Sequence, residues 1–116
     1  MSKRQGSVRE TLLALFEAEN NREWKTYERY LSTDVEWVSF EPPKKKVVRG
    51  ISSYLNAMKR AYRGNRSRFT VETIAADEER QVAIAELYFD GRRSVDVFEF
   101  KNGLIHRERE YFDDTY

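Results

Sequence analysis

Two carboxylic acids near the end of the chain are the residues best suited to do chemistry. Asp96 interrupts the otherwise apolar run 95–98, and Glu110 stands in the strand-like run that follows. A carboxylate on a covered sheet face needs a partner, a shifted pKa or a function. Two carboxyls that line an apolar pocket have their pKa values driven apart, which leaves one of them protonated near neutrality. Such a pair could remove a proton next to a carbonyl group and protonate the enolate that results.

The turn between the last two strands decides whether these carboxyls face the same side of the sheet. A two-residue turn at Asn102-Gly103 would pair Asp96 with Arg109. A type I turn that ends in a left-handed bulge at Gly103 moves the pairing by one residue. We prefer the second register because it separates the phenylalanines from the arginines. The residues that then share one face are Asp96, Phe98, Phe100, His106, Glu108, Glu110 and Phe112.

Each carboxyl also has an interpretation without chemistry. Asp96 could pair with an arginine or cap a neighbouring loop, and Glu110 could form a surface salt bridge. The sequence leaves these alternatives open.

Apolar side chains on neighbouring elements could line a pocket for a flat, apolar ligand. For each aromatic the alternative is core packing, and for the histidine it is a partly solvated position at the hairpin mouth. Tyr88 joins the pocket only if the loop at Asp90-Gly91 is long, because a tight turn places Tyr88 on the other face of the sheet from Asp96. The candidates are Trp37, Tyr54, Met58, Tyr88, Phe98 and His106.

Hydrophobic periodicity predicts three helices and five strands that position these residues. The first helix begins after an N-cap at Ser7, where Glu10 completes a capping box, and it ends at Asn20-Asn21. An antiparallel meander covered on one face by helices is an α+β layout. After the first helix the pattern predicts a helix over 23–31, a strand over 35–40, a solvated loop over 42–46, a helix over 51–62, strands over 68–76 and 81–89, and the final hairpin over 94–113.

Composition limits the class of protein. The 116 residues fit a single domain over 1–116. The formal net charge of +1 argues against nucleic acid and anionic membranes as partners. The chain has no cysteine and one histidine, so we expect no disulfide, no metal site and no cofactor. Since no apolar run reaches transmembrane length and no signal-type segment opens the chain, we expect a cytoplasmic protein.

The uncovered face of the sheet predicts a partner. Three helices cover only one face of a five-stranded sheet, and an apolar second face on a small domain needs protection from water. The simplest partner is a second copy, bound through the sheet to form a homodimer. The residues assigned to this second face are Ala83, Ala85, Leu87, Phe89, Val95 and Val97.

The layout, the segment Val48–Ile51 and the final hairpin from Asp96 to Asp113 resemble the NTF2-like superfamily. Within it the chain is most similar to the SnoaL-like polyketide cyclases, and its last hairpin also resembles limonene epoxide hydrolase. The resemblance covers nearly the whole chain. It implies an NTF2-like (cystatin-like) α+β cone, in which three N-terminal helices pack on a curved, mainly antiparallel sheet around an apolar pocket, usually in a homodimer.

The resemblance also implies roles for individual residues. Asp96 falls where SnoaL-like cyclases and ketosteroid isomerases carry a functional aspartate, and Glu110 falls where the hydrolases carry a catalytic aspartate. Glu86 and Tyr88 stand where the hydrolases need an arginine and an aspartate, which argues against epoxide hydrolysis. We therefore expect a cofactor-free cyclase or isomerase that acts on a small apolar carbonyl compound. The alternative is a non-catalytic ligand-binding or dimeric interaction module, because the fold alone does not choose.

Overall fold

A computed structural model describes residues 7–113 of the chain. Within that range the strands form one sheet in the order β2-β1-β6-β5-β4-β3, in which β1 runs parallel to β6 and every other neighbouring pair is antiparallel. The predicted α+β fold with a curved, mainly antiparallel sheet is confirmed. The elements are α1 (Val8–Asn20), α2 (Trp24–Glu28), β1 (Leu31–Glu41), β2 (Lys44–Arg49), α3 (Ile51–Tyr62), β3 (Thr70–Asp77), β4 (Val82–Phe89), β5 (Arg92–Lys101) and β6 (Leu104–Asp113).

The helices cover the inner face of the sheet. The Ser7 hydroxyl accepts from the Glu10 N–H at 3.0 Å and the Glu10 carboxylate accepts from the Ser7 N–H at 3.2 Å, which is the predicted capping box. Leu12 and Leu15 of α1 are fully buried, and each contributes about 2 kcal/mol of hydrophobic stabilisation. α1 packs on β3 and β4, and α3 packs on β1 and β2. No helix in the described part of the chain is long and apolar enough to cross a membrane.

The sheet has a sixth strand where the sequence predicted a solvated loop. Pro42-Pro43 forms a tight turn, and the lysines that follow it belong to β2, which pairs with β1 from Glu41↔Lys44 to Glu36↔Arg49. β2 is an edge strand, where exposed lysines discourage pairing with another chain, so a run of charge is compatible with a strand there. The predicted loop is confirmed at Pro42-Pro43 and is wrong over 44–46, because the prediction weighed charge without the neighbouring strand. The second helix is also shorter than predicted, since Leu31 already belongs to β1.

The two faces of β4 are the reverse of what the sequence analysis assigned. Ala83, Ala85 and Leu87 lie on the inner face and are buried in the core that the helices complete. Ala85 pairs with Asp96 across the ladder, and directly paired residues share a face. The assignment of these three residues to an uncovered face was wrong, because period-two alternation defines two faces but not which one the helices cover. The apolar side chains exposed on the outer face are Ile84, Tyr88, Val95 and Tyr111.

The last hairpin combines features of both registers considered above. Asn102 and Gly103 have positive φ angles of 54° and 80° and form a two-residue turn that pairs Lys101 with Leu104. The predicted type I turn is therefore wrong. His106 is an extra residue in β6, because the pairing passes from Phe100↔Ile105 to Glu99↔Arg107. Beyond this bulge Asp96 pairs with Glu110, so the preferred pairing of the two carboxyls is confirmed. The bulge at His106 produces this pairing, in place of the predicted bulge at Gly103.

A carboxylate from a distant turn caps the first helix. Glu78, between β3 and β4, accepts from the Val8 N–H at 2.8 Å and from the Arg9 N–H at 3.3 Å. A carboxylate at this position satisfies free N–H groups and complements the helix dipole. We expect Glu78→Ala to lower the free energy of unfolding by about 1 kcal/mol in chemical denaturation. Glu79→Ala is the matched control, and an equal loss in both variants would contradict the capping role.

Candidate functional site

A cavity of about 370 Å³ lies between the inner face of the sheet and the helices α1 and α3. Its wall is mostly apolar and aromatic, with a set of carboxyl groups on one side. The apolar and aromatic lining residues are Phe16, Trp37, Met58, Ala61, Tyr62, Phe69, Leu87, Phe89, Phe98 and Phe112. The polar ones are Glu19, Asp90, Arg92, Ser94, Asp96, Glu108 and Glu110.

Three of the carboxyl groups form one cluster. Asp96 and Glu110 are directly paired on β5 and β6, and Glu108 is the next residue of β6 on the same face. One oxygen from each of the three lies within 4.8 Å of the other two. Asp96 is 2 % exposed and Glu108 is 7 % exposed, whereas Glu110 remains partly accessible from the cavity. Three acids held this closely away from bulk water cannot all ionise.

Protein donors hold each of these carboxyls in place. Ser94 Oγ donates to Asp96 Oδ1 at 2.8 Å, and Trp37 Nε1 donates to Glu110 Oε1 at 3.3 Å. Glu108 accepts a short hydrogen bond from the hydroxyl of Tyr54 and a second one from the carboxyl of Asp96. The cluster is therefore a fixed network and not a set of mobile surface acids.

The pKa values of the cluster separate the three acids. Burial raises the pKa of Asp96 well above its ordinary value, and the charges of Glu110 and Glu108 raise it further. Burial also raises the pKa of Glu110 well above its ordinary value, with Glu108 and Glu19 adding to the effect. Burial raises the pKa of Glu108 too, but the hydrogen bonds from Asp96 and Tyr54 oppose that shift. The hydrogen bonds to Glu108 thus favour the ionised form of this member of the cluster.

A fourth acid faces this cluster from the helical layer. Glu19 of α1 accepts a 2.5 Å hydrogen bond from the hydroxyl of Tyr62, which belongs to α3. Burial raises the pKa of Glu19 to about 8, partly offset by the Tyr62 hydrogen bond, while the charge of Glu108 adds to the rise. The cavity therefore has acids on both of its walls.

Most of the predicted site residues meet at this cavity. Asp96, Glu110, Trp37, Met58 and Phe98 line it. Their placement agrees with the sequence analysis, and their roles stay predictions.

Tyr54 lies one layer deeper than predicted. It is fully buried, packs against the ring of Trp37 with centroids 5.5 Å apart, and reaches the site through its hydrogen bond to Glu108. A second tyrosine hydroxyl, that of Tyr27, lies 3.2 Å from the hydroxyl of Tyr54. Tyr54 therefore supports the carboxyl cluster from behind instead of facing a ligand.

The prediction that Tyr88 and His106 line the pocket was wrong, because neither residue lines the cavity. A tight turn at Asp90-Gly91 pairs Tyr88 with Arg93 on the outer face, where Tyr88 is 42 % exposed. His106 is the extra residue of the β6 bulge, which takes it out of the alternation that would have brought it inward. The hairpin-mouth interpretation of His106 was the better one.

Sequence reasoning missed Glu108, Glu19 and Tyr62 as site residues, although each carries a signal. Glu108 precedes Glu110 by two residues on a strand and so shares its face. Glu19 follows Leu15 by four residues and lies on the buried stripe of α1, where a charged residue is unusual. These signals become specific only once the cavity is known.

The cluster could hold a cation through its oxygen atoms. Asp96, Glu108 and Glu110 are the only such group of three within residues 7–113, and carboxylate oxygens suit hard divalent ions. Against this, Ser94, Trp37 and Tyr54 already donate hydrogen bonds to these three carboxyls. The donor set fits proton sharing better than metal binding.

Comparisons with known proteins point to one fold family. The model of the SnoaL-like domain matches residues 12–108. No curated protein matches the sequence.

Solved structures resemble the chain over most of its length. A candidate ketosteroid isomerase from Kribbella flavida is 24% identical with a TM-score of 0.76, covering 97% of this chain and 83% of that one. A cystatin-like-fold protein of unknown function from Methylobium petroleophilum is 14% identical with a TM-score of 0.82, covering 100% and 82%. A SnoaL-like protein of unknown function from Burkholderia thailandensis is 15% identical with a TM-score of 0.78, covering 91% and 93%. Identities this low establish the shared fold and nothing more.

The raised pKa of Glu19 makes a prediction about stability. Its pKa is about 8 in the folded protein against an ordinary 4.5, so between these values the folded state binds more protons than the unfolded state. Stability from this group is complete below the lower value and is lost as the pH rises through the higher one. As the pH rises from about 5 to about 9, we expect the free energy of unfolding to fall less in Glu19→Gln than in the wild type. The measurement is urea denaturation at a series of pH values.

Glu17→Gln is the control, because Glu17 is an exposed glutamate on the same helix. An identical pH dependence in the wild type and in Glu19→Gln would show that Glu19 ionises normally.

Proposed function

Since this chain belongs to the SnoaL-like domain family, we propose that it is a cofactor-free enzyme of cyclase or isomerase type that moves a proton on a small carbonyl compound. The observation that carries the proposal is the cluster of Asp96, Glu108 and Glu110, whose oxygens lie within 4.8 Å of one another in the wall of a mostly apolar cavity. Acids in such a setting have separated pKa values, which is what general acid–base catalysis requires.

Asp96 and Glu108 take complementary roles in the proposed reaction. Glu108 ionises first and removes a proton from the carbon next to the substrate carbonyl. Asp96 is neutral, and as Glu108 takes up the substrate proton the single proton of Asp96 turns from Glu108 to the developing enolate oxygen. The sequence analysis gave the acid–base role to Asp96 and Glu110 without choosing the base. In this proposal Glu108 is the base, and the charge of Glu110 helps keep Asp96 protonated.

Two tyrosines prepare the base. Tyr54 donates to Glu108, and the hydroxyl of Tyr27 lies 3.2 Å behind that of Tyr54. The hydrogen bonds that link Tyr27, Tyr54 and Glu108 fix the orientation of the Glu108 carboxylate. The bond from Tyr54 also limits the rise in the pKa of Glu108, so that the base is ionised at a pH where its neighbours are not. A base that is buried and oriented by hydrogen bonds needs little reorganisation during the reaction.

Proton abstraction can be tested without knowing the natural substrate. The probe is 2-tetralone, a flat and largely apolar ketone, and the readout is the loss of its α-proton NMR signals in deuterated water. We expect the wild type to accelerate this exchange and Glu108→Gln to lose about 100-fold of the acceleration. Asp96→Asn should also reduce it, because the variant cannot transfer a proton to the enolate.

Glu72→Gln, an exposed acid on β3, is the control and should keep the wild-type rate. Circular dichroism checks that each variant is folded. Exchange that Glu108→Gln leaves unchanged would remove Glu108 from the mechanism.

The alternative is a ligand-binding or dimeric interaction module without catalysis. It is favoured by the hydrogen bonding of the acids, because each of the four carboxyls has a protein donor and a satisfied network can serve structure alone. In that case a folded wild type would bind the ketone but would not accelerate exchange.

We also propose that the protein forms a homodimer through the outer face of the sheet. Ile84, Tyr88, Val95 and Tyr111 are each between 38 % and 45 % exposed on that face. Ion pairs surround them, among them Arg93–Glu86 at 3.5 Å and the contact between Arg109 and Glu99. Apolar side chains within a ring of paired charges suit a self-complementary contact.

Val95→Arg tests this contact. We expect the substitution to place unpaired charge in the interface and to weaken dimerisation at least about tenfold in sedimentation equilibrium. Leu13→Arg is the matched control, because Leu13 is an equally exposed apolar residue on the helical side. A wild type that sediments as a monomer at every concentration would overturn the dimer.

A further inference from the structure

The cavity offers a ligand many hydrogen-bond acceptors and almost no side-chain donors. In the described part of the wall, Trp37 donates to Glu110, Tyr62 to Glu19 and Ser94 to Asp96. Arg92, at the rim, pairs with Glu41 at 3.0 Å and lies over the ring of Phe112 at 4.3 Å. Apart from Arg92 and the protonated carboxyls, the described lining side chains offer an entering molecule little that could hydrogen-bond to an anion. The ligand must therefore bring donors of its own.

Two of the acids face each other across the cavity. Glu19 belongs to α1 in the helical layer and Glu110 belongs to β6 in the sheet, and the charge of Glu19 raises the pKa of Glu110. Both side chains are partly accessible, unlike the buried pair Asp96 and Glu108. Glu19 accepts from Tyr62 and Glu110 accepts from Trp37, whereas a carboxylate has about four acceptor positions. Carboxyl oxygens therefore line the space from both of its walls.

The positive charges near these acids have other partners as well. The Arg22 guanidinium lies over the ring of Tyr62 at 4.0 Å and donates to the carbonyls of Asn65 and Ser67 at 2.6 and 2.8 Å. Arg22 does not line the cavity, and it lowers the pKa of Glu19 less than burial raises it. Arg92 is the one cationic side chain among the described lining residues, and its charge likewise lowers the pKa of Glu110 less than burial raises it. The wall therefore has one cationic residue among five acids.

The rest of the wall suits a cation with an apolar body. Rings of Trp37, Tyr62, Phe89 and Phe112 line the cavity around the acids. Aromatic faces attract positive charge within about 6 Å, and they also cover flat apolar groups. A binding site for an ammonium group is built from this combination of carboxylates and ring faces.

We propose that the ligand of this cavity is an organic monocation, a flat apolar body that carries a protonated amine held between Glu19 and Glu110. This inference rests on the proposed function and names its substrate class. The amine lies beside the buried pair, so the reacting carbon of the same molecule can lie against Asp96 and Glu108. Anionic ligands such as carboxylates and phosphates fit less well, because an anion would hold these acids in their protonated form and Arg92 is the one cationic side chain among the described lining residues.

An organic cation fits better than a metal ion. A metal ion would occupy a small part of a cavity of about 370 Å³ and would leave its aromatic wall without a role. It would also compete with the N–H of Trp37 and the hydroxyl of Ser94 for the carboxylate oxygens. An ammonium group adds donors without displacing those that are present.

Three matched probes test the proposal: 2-naphthylmethylamine, 2-naphthylmethanol and 2-naphthoate, which differ mainly in charge. Binding to the full chain is measured by isothermal titration calorimetry near neutral pH. We expect the amine to bind about tenfold more tightly than the alcohol, and the carboxylate to bind more weakly than either. Calorimetry in buffers of different ionisation enthalpy should detect proton release with the amine but not with the alcohol, because the ammonium charge favours ionised carboxyls.

Variants then locate the charge. Glu19→Gln and Glu110→Gln should each bring the affinity ratio of amine to alcohol close to one while the affinity for the alcohol changes less than about twofold. Glu17→Gln, on the exposed side of α1, should keep the wild-type ratio. Equal loss of both ligands in a folded variant would overturn the assignment of the charge site.

The remaining outcomes separate this inference from the proposed function. An alcohol that binds as tightly as the amine overturns the cation inference, while ketone exchange by the wild type would still support proton transfer. A preference for the amine without any ketone exchange supports the cation site and overturns the enzyme. Failure of all three probes to bind overturns the inference, and so does displacement of the amine by Mn²⁺ alone, which would indicate a metal centre.

Discussion

One inserted residue, His106 in β6, sets the chemistry of the whole inner face. Side chains alternate strictly along a strand, so a shift of one residue moves every later side chain to the other face. The tight turn at Asn102-Gly103 would by itself place Arg109 opposite Asp96 and give an ordinary ion pair. The bulge undoes that pairing and brings Glu110 opposite Asp96, with the arginine on the outer face. The cluster of acids is therefore a consequence of register and not of composition.

Burying acids together has an energetic cost that the surrounding structure must offset. Asp96 and Glu108 do so by sharing a proton, with Ser94 and Tyr54 as further donors. Glu110 and Glu19 are less buried than this pair. Glu19 lies in the helical layer and accepts a hydrogen bond from Tyr62. The site thus divides into a deep pair that is satisfied by the protein and an outer pair that has acceptors to spare. We assign proton transfer to the deep pair and ligand charge to the outer pair.

The two faces of the sheet carry different residues, because the helices cover the inner face. Small and apolar residues of β4, such as Ala83 and Ala85, are covered by helices, and the cavity opens beside them. The outer face carries ion pairs with apolar residues between them, among them Tyr88 and Val95. Membership of the SnoaL-like family fixes the shape of this arrangement but not its activity, which depends on the particular acids that the sheet brings inward.

The sequence by itself determined the helices, most of the strands, the turn residues and the inward position of Asp96, because local periodicity, capping and an odd charge in an apolar run are visible in one dimension. It also indicated that Asp96 and Glu110 share a face. Only the tertiary structure decided that β2 is a strand, that Ala83 lies inside, and that Glu19 meets the acids of β6 from another layer. Those outcomes depend on which elements pack together, and contacts between residues distant in sequence leave no local pattern.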